Sequence, residues 1–306
     1  MYMRSPSILA KRRHSLNPKS KKWLIAFLFL LPALFCFIVF KYIPFFQTFY
    51  YSFFRYRLVD PPGVFVGLRN YTNTFQSELF WTELKNTVIL YGYQILFGFF
   101  IPILQALAIS ELVRGKGLVR FAYLLPTALS SFAGLSVWKY IWEPDGGIAN
   151  MITNALGLGT YQWYGDENLV KFCLRFPAIL GGGGMVIIIY VAISNISGEL
   201  YEAAKMDGAG AFRRIWHISL PGARYVIFIS FLLGLTGSLL AFDDVYMLTQ
   251  GGPGYSSFTV VLGIYTKAFR EQNFGQAMAM SVILCIMTLI ITSIVYYIQN
   301  RIEDDY

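Results

Sequence analysis

Residues 202–221 read EAAKMDGAGAFRRIWHISLP, a polar and basic interlude between two apolar runs. Ser197 can cap a helix start, Glu199 and Glu202 fall near the positive end of the helix dipole, and 202–206 are good helix formers. One short helix is predicted there. Gly208, directly after Asp207, suits a left-handed helix terminus, and Gly210 adds freedom before 211–218 resumes a helical pattern. The expected product is two short helices joined by a bend. Ala203, Ala204, Gly208, Ala209 and Ala211 present little bulk, so another protein could approach this backbone closely, while Glu202, Arg213 and Arg214 offer charge at the margins. The stretch has the character of a plug.

The surrounding composition says where such a plug sits. Of 306 residues, 56% are hydrophobic, 18% aromatic and only 14% charged, too apolar a balance for a soluble globular protein of this length. A membrane-crossing helix needs roughly 17–25 predominantly apolar residues. Six runs qualify: 24–40, 86–110, 121–138, 176–198, 225–242 and 272–300. The fold class expected is therefore all-α, a polytopic membrane protein with six transmembrane helices. Four segments follow: a basic tail over 1–22, a first span with its outer segment over 23–85, a five-helix core over 86–300 that contains the loop 199–224, and a short tail over 301–306.

Orientation comes from the basic residues. Arg4, Lys11, Arg12, Arg13, Lys19, Lys21 and Lys22 precede the first span without an acidic residue. No small-residue cleavage site follows that span, since Phe40-Lys41-Tyr42-Ile43-Pro44 is bulky throughout, so the helix is read as retained rather than as a removed signal. Together with the segments 111–120, 199–224 and 301–306, the tail accounts for fifteen of the twenty-five Lys and Arg residues. Both termini and the plug are thus expected in the cytoplasm. The net charge of +8 is read as topology determinants and partners of anionic lipid, not as a nucleic-acid surface.

Other features leave alternatives open. The aromatic string 42–56 reads as an interfacial belt or as an extension of the first helix. Pro177 and the glycines 181–184 in the fourth run weaken a helix, which fits either close helix packing or the lining of a water-filled cavity. Asp243 and Asp244, at the end of the fifth run, are either functional acids or solvated rim residues. Cys36, Cys173 and Cys285 are isolated, with only Cys173 outside a predicted span, and His14 and His217 are far apart, so neither a disulfide framework nor a metal site is expected. There is no G-x-x-x-x-G-K-[ST] phosphate loop, no Ser/His/Asp arrangement and no set of buried charges across several spans of the sort that ion-coupled carriers use. The chain is read as a non-enzyme without a cofactor, and its energy source must lie on another chain.

The plug is also where a family becomes recognisable. Glu202-Ala203-Ala204, Asp207-Gly208-Ala209, Ile218 and Leu220-Pro221 resemble, in order and spacing, the EAA loop of binding-protein-dependent ABC importer permeases. Leu248-Thr249-Gln250-Gly251-Gly252-Pro253, preceded by Phe242-Asp243 and followed by Tyr265, Ala268-Phe269 and Phe274-Gly275, is similar to the carbohydrate-uptake branch, the maltose and glycerol-phosphate type. The resemblance extends over nearly the whole chain and implies the type I permease fold. It also implies partners: a second homologous permease, two ATPase subunits that bind ATP and Mg, and an extracytoplasmic solute-binding protein.

By the same resemblance, Glu202, Ala203, Ala204, Asp207, Gly208, Ala209, Arg213, Leu220 and Pro221 would form the ATPase-coupling surface. Gly181, Gly182 and Met185 of the fourth span, with Ser238, Phe242 and Asp243 of the fifth, would face the solute, expected to be an oligosaccharide. The chain departs from its relatives at Tyr225, where many have a second proline, and at Phe176-Pro177, where they tend to have tryptophan before the glycine.

Overall fold

A computed structural model describes residues 18–57, 59, 63–112, 114–181 and 183–304. The basic tail as far as residue 17, His14, the turn residues 60–62, Gly182 and the last two residues lie outside that set. Two compact units divide at Tyr50 and Tyr51. The first is a helix, Pro18–Phe37, continued through a widened π turn over Ile38–Tyr42 into Ile43–Tyr51. The aromatic string is thus helical as far as Tyr51, which extends the first helix.

Among the described residues, four helices are long and apolar enough to cross a membrane: Ile25–Tyr51, Glu78–Glu111, Ala211–Leu239 and Phe274–Gln299. Two bent pairs, Lys116–Ala128 with Ser131–Ile141 at 100° and Val170–Leu180 with Gly183–Ser194 at 43°, bring the number to six where each pair is taken as one span. The six expected spans then correspond to four continuous helices and two broken ones. The third run, 121–138, straddles a sharp corner. Pro126 lies in a 3₁₀ turn, Leu129 and Ser130 are extended, and the Ser130 hydroxyl accepts from the Ala133 amide at 3.3 Å to start a new helix. The fourth crossing begins earlier than expected, which takes Cys173 into it.

Prolines explain why other helices run further than composition suggests. A proline inside a helix lacks an N–H and crowds the carbonyl four residues back. Pro44, Pro102 and Pro221 each follow a π turn, Ile38–Tyr42, Leu96–Phe100 and Ile215–Ser219, that contains this carbonyl. The wider turn makes room for the ring, so the helix bends and continues instead of ending.

In the second unit the Glu78–Glu111 helix is the axis. Its Ala106 and Leu107 pack on Val186, Ile189 and Ile193 of the fourth crossing and on Ala223 of the fifth. Leu90, a few turns away, packs on Val170, Leu174, Val245 and Leu262. A third cluster joins Phe80 and Val260 to Met280, Ile283 and Leu284 of the last helix. A two-stranded ribbon pairs Phe54 with Phe65, and Asn70 locks it by donating to the Ser52 and Phe54 carbonyls at 2.7 and 2.9 Å.

Candidate coupling segment and solute recess

The interlude between the fourth and fifth crossings forms one separate helix, Gly198–Met206. Its end follows from Gly208, which at φ +73° adopts the left-handed conformation that other residues resist. There the Gly208 amide donates to the Lys205 carbonyl at 3.0 Å and the Ala209 amide to the Ala204 carbonyl at 2.8 Å. This paired pattern satisfies carbonyls that a helix end would otherwise leave bare. Ser197 occupies the capping position but makes no side-chain cap.

The second expected short helix is not a separate element. Ala211–Arg214 runs through the π turn Ile215–Ser219 into Leu220–Leu239, forming one helix of 29 residues. Leu220 and Pro221 are therefore inside the fifth crossing helix. Pro221 is tolerated by the π turn before it rather than acting as a terminator.

Glu202, Ala203, Asp207, Gly208 and Arg213 are exposed, and Ala204 and Ala209 are half-buried. Beside them stand residues that size and charge alone did not single out: Met206 is 89% exposed, Phe212 77% and Trp216 61%, with the two rings stacked at 6.2 Å. Apolar groups of that size on an exposed bend mark a contact surface. Their spacing, four residues apart on one helix face, was a signal available in the sequence. Arg214 turns inward, donating to Glu111 Oε2 at 2.9 Å and to the Ala209 carbonyl at 3.2 Å.

Near the other end of the fifth crossing, Phe242 and Asp243 line a recess of about 500 Å³ with Ser131, Trp138, Arg175 and Asp244. The two acids have different environments. Asp244 pairs with Arg175, the side chains being 16% and 8% exposed, whereas Asp243 is exposed. Phe242 stacks on Tyr246 at 5.0 Å and meets Tyr265 at 5.1 Å, which holds its ring in place. Tyr164 packs in the adjoining cluster with a hydroxyl that lacks a partner, and burial, then nearby Cys173 and Asp244, pushes its phenol above the ordinary value. It stays protonated.

The remaining expected solute residues lie elsewhere. Met185 and Ser238 line a crevice of about 20 Å³ beside Gln94 and Phe99, and the Ser238 hydroxyl donates to its own helix at Leu235. Gly181 closes the short helix Ala178–Gly181, and Gly182 is outside the described residues. At Gly183 a side chain would collide with the Tyr123 backbone carbonyl, so this glycine serves a close helix crossing. Arg175 and Trp138 were missed as recess residues. Each stands at the edge of a predicted span, where a charge or an indole reads as an interface anchor.

The Gly-Gly-Pro segment is fastened from two sides. Thr249 and Ser257 share a hydrogen bond of 2.8 Å, and Ser257 donates to the Gly252 carbonyl at 2.7 Å. Asn86 of the second crossing donates to the Tyr255 and Phe258 carbonyls at 2.7 and 3.1 Å.

Known proteins are similar to this chain over most of its length. The chain is 32% identical over 271 residues to a probable ABC transporter permease protein, YurN, of Bacillus subtilis, covering 87% of this chain and 92% of that one. It is 31% identical over 307 residues to the diacetylchitobiose uptake system permease protein NgcF of Streptomyces coelicolor, covering 94% and 85%. Among solved structures, a bacterial ABC transporter involved in the import of the acidic polysaccharide alginate superposes with a TM-score of 0.82 at 25% identity, over 92% of this chain and 97% of that one. Residues 98–304, which hold both the coupling segment and the recess, match a family described as the inner membrane component of binding-protein-dependent transport systems, and the chain belongs to that family.

Proposed function

We propose that this chain is the permease subunit of an ATP-driven importer of sugars, most of all oligosaccharides, in a bacterial plasma membrane. It forms the translocation pathway with a second permease and receives solute from an extracytoplasmic binding protein. The chain itself is not an enzyme, and ATP and Mg are bound by separate ATPase subunits on the cytoplasmic side, where both termini lie. The observation that carries this reading is the Gly198–Met206 helix, exposed along Glu202 and Ala203, ended by a left-handed Gly208, and standing between two crossings of a chain from an importer family.

Coupling requires an element that touches the ATPase differently in two pathway states. Ala203 and Ala204 allow close seating, Glu202 and Arg213 offer charge, and Met206 and Phe212 offer apolar area. The 500 Å³ recess suits a sugar, because Trp138 and Phe242 present faces for its apolar side while Ser131 and Asp243 accept from its hydroxyls. Relatives named for diacetylchitobiose and alginate support the solute class.

ATP hydrolysis by the assembled transporter in lipid, with and without loaded binding protein, tests the reading. Glu202→Lys and Gly208→Trp are expected to abolish stimulation by the loaded protein. Full stimulation in both variants, with all subunits still co-purifying, would refute the coupling role.

A further inference from the structure

The Gly198–Met206 helix is tied to the rest of the unit by few polar contacts. Among the described residues, one is Tyr201 Oη to Ser219 Oγ at 3.0 Å. A recess of about 510 Å³, lined by Lys116, Tyr190, Tyr201, Lys205 and Arg214, leaves the helix unsupported over part of its length. A helix mounted in this way passes a push to the membrane body through its covalent connections, through the Tyr201–Ser219 bond and through whatever else bridges the bend.

Arg214 is such a bridge. One arm of its guanidinium holds the Ala209 carbonyl, inside the bend, and the other holds Glu111, the last residue of the Glu78–Glu111 crossing. Arg214 and Glu111 lie 103 residues apart in the chain. Among the described residues it is the one ion pair that joins the interlude to another crossing helix. The Arg214 side chain is 13% exposed, and among the described residues its Nε is buried without a partner, so its guanidinium is held largely by these two bonds. A planar fork serves two acceptors at fixed angles, which a lysine does not. Glu111 belongs to the helix around which two core clusters are organised, so a displacement there reaches both the fourth and the fifth crossings.

We propose that Glu111–Arg214–Ala209 is the strut that transmits movement of the coupling helix to the second crossing, with Arg214 and Glu111 as positioning residues. The proposal rests on the coupling role inferred above for the Gly198–Met206 helix. It adds the route by which that helix acts.

The test uses the complete transporter in vesicles, measuring ATP hydrolysis and solute uptake together. Arg214→Gln and Glu111→Gln are expected to assemble and hydrolyse ATP while uptake per ATP falls about fivefold or more, the lower end of a typical coupling energy. The exchanged pair, Glu111→Arg with Arg214→Glu, restores the ion pair but not the bond to the Ala209 carbonyl, since a carboxylate does not donate, and is expected to recover little of that loss. If Arg214→Gln fails to assemble, Arg214→Lys serves instead, since it keeps the charge and loses the fork. Unchanged uptake per ATP in the single variants overturns the strut, as does full recovery in the exchanged pair, which would leave the Ala209 arm without a role. Glu202→Lys in parallel separates the two ideas: if it abolishes stimulation while the strut variants behave as wild type, only the strut falls.

Discussion

Asp243 and Asp244 are adjacent acids of the same type at the mouth of the same recess, and the structure assigns them opposite energetic weights. Asp244 is 16% exposed and balances Arg175, which is 8% exposed at the end of the Val170–Arg175 helix. Removing one partner of a buried pair strands the other charge, at a cost of about 3–5 kcal/mol. Asp244→Ala should therefore lower stability by about that amount, a fall in melting temperature on the order of 10 °C. Asp243 is exposed and, among the described residues, bridges to no cation, so Asp243→Ala should change stability by about 0.5 kcal/mol or less. The double variant Arg175→Met with Asp244→Leu replaces both charges by apolar groups and should regain most of the loss, because desolvating the pair offsets much of its attraction. Thermal unfolding of the purified assembly in lipid nanodiscs gives all four values. Equal losses at Asp243 and Asp244, or a double variant no better than Arg175→Met alone, would refute the reasoning.

Three further outcomes are expected. Asn150 is 2% exposed and spends both donors on the Pro144 and Tyr161 carbonyls and its oxygen on the Tyr161 amide and the Trp163 indole, so Asn150→Asp, which turns a carboxylate toward two carbonyls, should loosen 144–163 more than its small volume change suggests; hydrogen exchange over that segment reads this. Gly263 faces buried Glu83, and a methyl group there would stand 2.5 Å from both carboxylate oxygens, so Gly263→Ala should cost about 1–3 kcal/mol in thermal unfolding. At Gly208, whose φ is +73°, asparagine should preserve more stimulated ATP hydrolysis than valine, because its short polar side chain tolerates the left-handed region and a β-branched one does not.

Composition and local pattern settled the broad outline. The low charge content and the apolar runs were sufficient for an all-α membrane chain, since lipid forces each spanning segment to satisfy its own backbone. The Gly198–Met206 helix and its end were equally legible, because Gly208 after a run of helix formers specifies a left-handed terminus locally. What local reading could not supply was continuity. Pro221 and Pro44 look like helix ends in one dimension, yet π turns carry both helices onward. Ser130 looked no different from other polar residues in a span, and only the folded chain shows it opening a new helix at a 100° corner.

Pairings over long separations belonged entirely to the tertiary structure. Arg175 and Asp244, or Glu111 and Arg214, are ordinary interfacial charges until packing brings their helices together. The same holds for the expected solute residues. Ser238 shares a helix with its recess neighbour Gly237 but lines a different crevice, because side-chain direction around a helix depends on which neighbours it packs against, and Met185 stands on Gly183–Ser194, a helix that supplies nothing to the recess. The chemistry of each short segment was thus readable from residue type, whereas its partners were set by the crossing of helices that no local pattern encodes.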